Sequence, residues 1–181
     1  MSQFHCFDSL PEKVCQQKMI KKTILKAKGV CDRAGTRFTK KRARIFKIML
    51  QADVPLSAYE IADLYNQSCN EKMPPMSVYR ILQFFVSLDL VHKLSLNNKY
   101  VTCSHINCDH THEAPQFLIC NNCAIATEIS MSSKLLRDLK KLVKNAGFAL
   151  INPQLELQCI CDSCHGNSKI SIRSLRQNAS S

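Results

Sequence analysis

The chain has 181 residues, 45% of them hydrophobic, with a formal net charge of +11 and eleven cysteines. That length holds one ordinary domain or two small ones, and the apolar content excludes a wholly disordered chain. No stretch is long enough to cross a bilayer and Met1-Ser2-Gln3-Phe4-His5-Cys6 lacks a secretory apolar run, so a cytoplasmic protein with reduced thiols is expected.

Residues 1–18 read as a flexible leader whose Cys6 and Cys15 have no interpretable spacing. From Met19 to about Cys31, Ile20, Ile24, Leu25 and Ala27 recur at helical spacing between lysines, which predicts an amphipathic helix ending near Gly29. Thr39 is placed to cap a second helix, with Ile45, Ile48 and Met49 inward and Lys40, Lys41, Arg42, Arg44 and Lys47 toward water or DNA. Asp32 is the only acid among the many Lys and Arg between Lys21 and Lys47. Such a density of fixed positive charge attracts a polyanion and releases counterions on meeting phosphates, so nucleic acid is the expected partner, and the winged helix that follows makes it double-stranded DNA.

Ser57 caps a predicted third helix from Ala58 to Tyr65, and Glu60 completes a capping box. After Pro74-Pro75, Met76 to Leu88 reads as a fourth helix with Val78, Ile81, Leu82, Phe85 and Val86 on its buried side. Leu90–Leu94 and Lys99–Cys103 read as two strands about an Asn97-Asn98 turn. Short helices followed by such a hairpin make a winged helix-turn-helix, whose last helix enters the major groove. Ser77, Tyr79 and Arg80 lie near that helix's N-terminus. Arg80 suits a bidentate contact with guanine; Tyr79 suits a phosphate or a thymine methyl, or else the helix core.

A second unit begins near Ser104. Gln116–Ile119 and Ala124–Ile129 predict a hairpin around Cys120-Asn121-Asn122-Cys123. Ser132 or Ser133 caps a helix with Leu135, Leu136, Leu139, Leu142 and Val143 at core spacing, closed by Gly147. Phe148–Ile151 and Leu155–Leu157 supply strand before Cys161-Asp162-Ser163-Cys164. A CxxC turn brings two thiolates to one side of a tight loop, so the two turns can close a four-sulfur cage around a structural zinc. Residues 124–160 lie between the inner cysteines, room for a whole strand-and-helix unit clamped by the metal. The expected class is mixed α and β: a winged helix-turn-helix, then a small α+β dimerisation domain with a four-cysteine zinc site. Its divisions are a leader 1–18, a DNA-binding domain 19–103, a dimerisation domain 104–165 and a disordered, Ser-rich tail 166–181.

His92, Cys103, His105, Cys108, Asp109, His110, His112, Glu113 and Glu128 form a second, looser set of metal donors. Ligands drawn from both domains would let a metal fix the angle between them and be read out as DNA affinity. A thiolate, two imidazoles and a carboxylate favour zinc over iron, although softness alone does not exclude iron. No catalytic residue and no small-molecule substrate are expected. A zinc deaminase needs His-x-Glu and Pro-Cys-x-x-Cys, but Glu113 directly follows His112 and Ile119 precedes Cys120. A redox CxxC would open a helix in a βαβ setting, and neither pair is expected to do so.

From Lys21 to Cys164 the chain resembles the ferric uptake regulator family, and most closely its zinc uptake regulator branch. The resemblance is carried by Arg37-Phe38-Thr39-Lys40-Lys41-Arg42, Ser57-Ala58-Tyr59, Pro75-Met76-Ser77-Val78-Tyr79-Arg80, Leu90-Val91-His92-Lys93, Tyr100-Val101-Thr102-Cys103, Phe117-Leu118-Ile119-Cys120-Asn121-Asn122-Cys123 and Gly147-Phe148-Ala149-Leu150, in that order. It implies a homodimeric repressor with zinc as corepressor on an AT-rich inverted repeat, and controlled genes of zinc uptake. It implies two zinc ions per chain, one structural in Cys120, Cys123, Cys161 and Cys164. The regulatory one would sit in His92, Cys103, Glu128 and a histidine, His112 before His110. Tyr59 and Arg80 resemble the base-contacting positions. An iron- or peroxide-responsive regulator of the same fold is the alternative.

Overall fold

Glu12, Lys13, Gln16, Gln17 and Lys18 are good helix formers with no breaker among them, and the first helix, α1, accordingly spans Glu12–Arg33. The computed structural model describes residues 12–69, 71–107 and 115–167. Residues 12–18 are thus helical, not leader, and α1 runs on past Gly29. It buries Ile20, Ala27 and Cys31, while Leu25, expected inward, is 69% exposed. The helix stops at Gly35, which at φ 66° takes the left-handed conformation that only glycine adopts freely. The Thr36 N–H then reaches Cys31 O and the Gly35 N–H reaches Asp32 O, the paired bonds of a Schellman stop.

Helix α2, Lys40–Gln51, begins where Thr39 Oγ1 accepts the Arg42 N–H at 3.4 Å. It buries Ile45, Phe46 and Met49, whereas Ile48 is half-buried. Helix α3, Ala58–Ser68, opens on the expected capping box: Ser57 Oγ accepts from the Glu60 N–H, and Glu60 accepts from the Ser57 N–H. Helix α4, Pro75–Val86, buries Val78, Leu82 and Phe85, but Val86 faces solvent and the helix stops short of Leu88. Asp89, at φ 53°, plays the part that Gly35 plays after α1: the Leu90 N–H bonds Phe85 O and the Asp89 N–H bonds Val86 O. Asp tolerates this conformation better than most residues. The stop delivers the chain into β1, Val91–Leu94, which pairs antiparallel with β2, Lys99–Thr102.

The core of this first unit is aromatic at its centre, with Phe46 and Phe85 ring centroids 5.3 Å apart and Phe38 edge-on to Phe46 at 6.2 Å. A 3₁₀ turn, Ser104–Asn107, packs on α1, and its Ile106 lies against the core. The first unit therefore continues beyond Cys103, and the chain divides between residues 112 and 113.

The second unit is a three-stranded sheet in the order β4-β3-β5, built from β3, Pro115–Cys120, β4, Ala126–Ser130, and β5, Leu155–Cys159. β4 pairs antiparallel with β3, and β5 pairs parallel to it, after the crossover through α5, Ser133–Asn145. The buried amide of Gln116 sets the parallel register: its Nε2 donates to Pro153 O at 3.1 Å, and its Oε1 accepts from the Leu155 N–H at 2.9 Å. Ser132 caps α5, and Gly147, at φ 83°, ends it with the same pair of bonds that ends α1. Two expectations fail here. Phe148–Ile151 is not a strand: it lies outside the sheet order β4-β3-β5, and Phe148 and Ile151 are 73% and 95% exposed. None of the apolar residues of α5 is buried.

Candidate metal centres and nucleic-acid interface

The first CxxC closes the β3–β4 hairpin. The Ala124 N–H bonds Cys120 O at 2.9 Å and the Cys120 N–H bonds Ile125 O at 2.9 Å, so Cys120 and Cys123 sit on one tight loop. Ala124 holds φ 59° there, a conformation that costs a side-chain-bearing residue about 1 kcal/mol. The second CxxC follows β5 and leads into α6, Asp162–Asn167, with the Cys164 N–H bonded to Cys161 O. This corrects the expectation that neither pair opens a helix. What separates the pair from a redox motif is its surroundings: the sulfurs of Cys120, Cys123, Cys161 and Cys164 all lie within 4.8 Å of one another.

The cage fits zinc. Four sulfurs about 2.3 Å from a tetrahedral centre are about 3.8 Å apart, and Cys123 Sγ and Cys161 Sγ are 3.6 Å apart. Backbone N–H groups of Cys123 and Cys161 point at Cys120 Sγ and pull its thiol down to about 6. Sharing of its S–H with the Cys161 and Cys123 sulfurs pushes Cys164 up to about 12. Such a cluster has one ready thiolate, and a soft divalent ion displaces the remaining protons. A closed four-thiolate site has no open position for chemistry.

A second donor pair lies on the wing. Cys103 follows β2, its N–H bonded to Leu90 O at 3.1 Å, and His92 stands diagonally across on β1. The register turns both side chains to one face, and their ligand atoms lie within 4.8 Å. Cys103 is buried and His92 half-buried. Glu128 is a half-buried residue of β4 paired with Phe117. His110 and His112 lie outside the described residues.

On the first unit, Tyr59 opens α3 at 62% exposure, and its ring meets the half-buried Tyr79 edge-on at 6.2 Å. Tyr79 also packs on the core, in line with the core reading of it. Arg80 is exposed and Ser77 half-buried on the first turns of α4; Arg37 and Lys40 are exposed around the start of α2. Thr39 caps α2 as expected, and Lys41, expected toward water or DNA, makes an exposed ion pair with Glu71 at 3.2 Å. Arg42, expected to face water or DNA, lies over the Phe84 ring, 3.3 Å from its centroid, and donates to Arg37 O. Its delocalised cation is more weakly hydrated than an ammonium and stacks on the aromatic face, so it ties α2 to α4.

The profile of the Ferric uptake regulator family matches residues 33–158. The chain belongs to this family. It is 30% identical over 141 residues to the zinc uptake regulation protein of Escherichia coli (strain K12), covering 78% of this chain and 80% of that one. A zinc uptake regulator solved with zinc and DNA superposes at a TM-score of 0.73 and 26% identity, over 81% of this chain and 95% of that one. Holo XcZur superposes at 0.67 and 29% identity, over 79% and 96%. In this chain helices precede a sheet whose four-cysteine cluster could hold a zinc ion. Among the described residues no helix is long and apolar enough to cross a membrane.

Proposed function

We propose that the protein is a zinc-responsive transcriptional repressor that binds operator DNA as a homodimer when a regulatory zinc is bound, and so controls zinc-uptake genes in the cytoplasm. The observation that carries this is the paired imidazole and thiolate of His92 and Cys103 on the wing, separate from the closed four-cysteine cage. A thiolate in an open donor set favours zinc over iron. In this reading Cys120, Cys123, Cys161 and Cys164 hold a structural zinc. Glu128 and His112, or His110, join His92 and Cys103 around the regulatory one. Tyr59, Arg80, Ser77 and Tyr79 meet base edges, with Arg37 and Lys40 on phosphates.

A second copy of the chain suits the exposed apolar side chains of the second unit. Leu135 and Leu142 of α5, Leu157 of β5 and Ile151 of the connection between them are between 47% and 95% exposed, which is unusual for so many large apolar side chains on so small a unit. The match to a zinc uptake regulation protein in sequence and to a zinc- and DNA-bound regulator in fold supports the whole reading.

The test is a duplex selected from a random library against zinc-loaded protein, then titrated at buffered free zinc. Operator affinity is expected to rise about tenfold or more as zinc saturates, and to stay flat in Cys103→Ser. The variant should retain about one chelator-resistant zinc per chain where the native protein holds about two. Affinity independent of zinc would refute the proposal, and iron-dependent binding that survives Cys103→Ser would transfer it to iron.

A further inference from the structure

Glu60 does more than cap α3. Its Oε2 accepts the Ser57 N–H at 2.6 Å, which is the capping-box bond, while its Oε1 accepts from Lys99 Nζ at 2.9 Å. Lys99 is the first residue of β2 in the wing. One residue on, Tyr100 exchanges backbone bonds with Leu56, at 2.8 and 3.1 Å, as an isolated antiparallel bridge just before the Ser57 cap. The wing is therefore tied to the start of α3 at two points, one through backbone and one through charge. Tyr59 sits between Ser57 and Glu60, exposed and edge-on to Tyr79 of α4. The carboxyl is committed to these partners: the Ser57 N–H first, and Lys99 with it, hold Glu60 below its ordinary range.

We propose that Glu60 and Lys99 are positioning residues for DNA reading: the ion pair sets the wing against the N-terminus of α3 and so aims the Tyr59–Tyr79 edge at the bases. This rests on the reading of that edge as the DNA-facing surface. As a contribution to folding, a pair with 25% and 45% side-chain exposure is worth little. Its value lies in geometry, since base contacts fail when an anchoring side chain is misaimed.

The sign of the effect separates this from ordinary electrostatics. Removing a carboxylate beside a polyanion should strengthen binding, yet positioning requires Glu60→Gln to weaken it. Glutamine still accepts the Ser57 N–H, so the capping box is kept and only the ion pair is lost. The experiment measures anisotropy at saturating zinc on the selected duplex and on a scrambled duplex of the same composition, for the native protein, E60Q, K99M, the double variant and K99R. The expected result is a roughly tenfold loss on the selected duplex for E60Q and K99M, no further loss in the double variant, and native affinity in K99R. The scrambled duplex should bind E60Q and the native protein alike.

Equal or tighter binding by E60Q overturns the inference. So do losses that add in the double variant and reach both duplexes equally, because Lys99 is then a phosphate contact. Thermal midpoints of all five proteins guard against loss of fold, and K99M on the two duplexes carries the test if E60Q is destabilised. A native protein that selects no duplex overturns the regulator reading together with this one. A native protein that selects a duplex which E60Q binds equally well overturns this one alone.

Discussion

The winged unit buries Tyr65, Phe46, Phe85, Ile45, Ile61 and Leu82 almost completely, whereas Phe117 is the one large side chain of the second unit, among the described residues, to reach that state. The two units are of the same chain and both carry regular secondary structure, but they are held by different forces. In the first, α1 to α4 and the wing close over an aromatic centre. In the second, a three-stranded sheet has a helix with no buried residue beside it, and its ends are drawn together by four sulfurs. A small sheet with so little apolar burial needs a metal or a partner to be stable. In the proposed function the difference also divides the work: a hydrophobic core is the platform for base contacts, and the open-faced unit is the place for a structural zinc and a second copy.

The largest effect should come from removing the clamp. In Cys161→Ser the structural zinc, worth on the order of 10 kcal/mol in small zinc domains, should be lost. Amide exchange should then show β3, β4 and β5 unprotected while α2 to α4 keep native protection. Equal loss of protection in both units would mean that they fold as one, with no difference in what holds them.

The next effect compares two apolar truncations. Phe85→Ala should cost about 3–5 kcal/mol in urea unfolding of the winged unit. Leu142→Ala should change protomer stability by less than about 0.5 kcal/mol, since the side chain is 67% exposed. It should instead weaken association in sedimentation experiments. If Leu142→Ala lowered protomer stability as Phe85→Ala does, α5 would be a core helix after all.

The smallest effect is a pH dependence confined to the first unit. Glu60 titrates below its ordinary value of 4.5 in the folded protein. A depressed carboxyl contributes stability that is present above 4.5 and lost as pH falls through the lower folded value. The stability difference between the native protein and Glu60→Gln should therefore hold at neutral pH, shrink as pH falls below 4.5 and vanish once Glu60 is protonated in the folded protein. A difference that grows on acidification would contradict the observed pairing with Ser57 and Lys99.

Much of this was legible without coordinates, and the legible parts share a range. The Ser57 and Thr39 caps, the α2–α4 helices, the wing and the two CxxC turns are set by residues three or four apart, and local hydrogen bonding decides them. The misread parts are decided across the fold. Phe148–Ile151 has strand-forming residues, but its Phe148 and Ile151 find no covering partner among the described residues and the segment stays outside the sheet. Arg42 has the charge of a DNA contact but the neighbour of a structural clamp, Phe84, from a different helix.

The order of residues by itself pointed to the family, to the starts of α2 to α5 and to the four-cysteine cluster. Tertiary structure decided which apolar face is buried, as in α4, and which is left open, as in α5. It also decided that β5 runs parallel to β3, and that Glu60 meets a lysine 39 residues away. The physical reason is that periodicity reports the face on which apolar side chains lie. Whether anything covers that face, and which charges meet across the chain, depends on groups that only folding brings together.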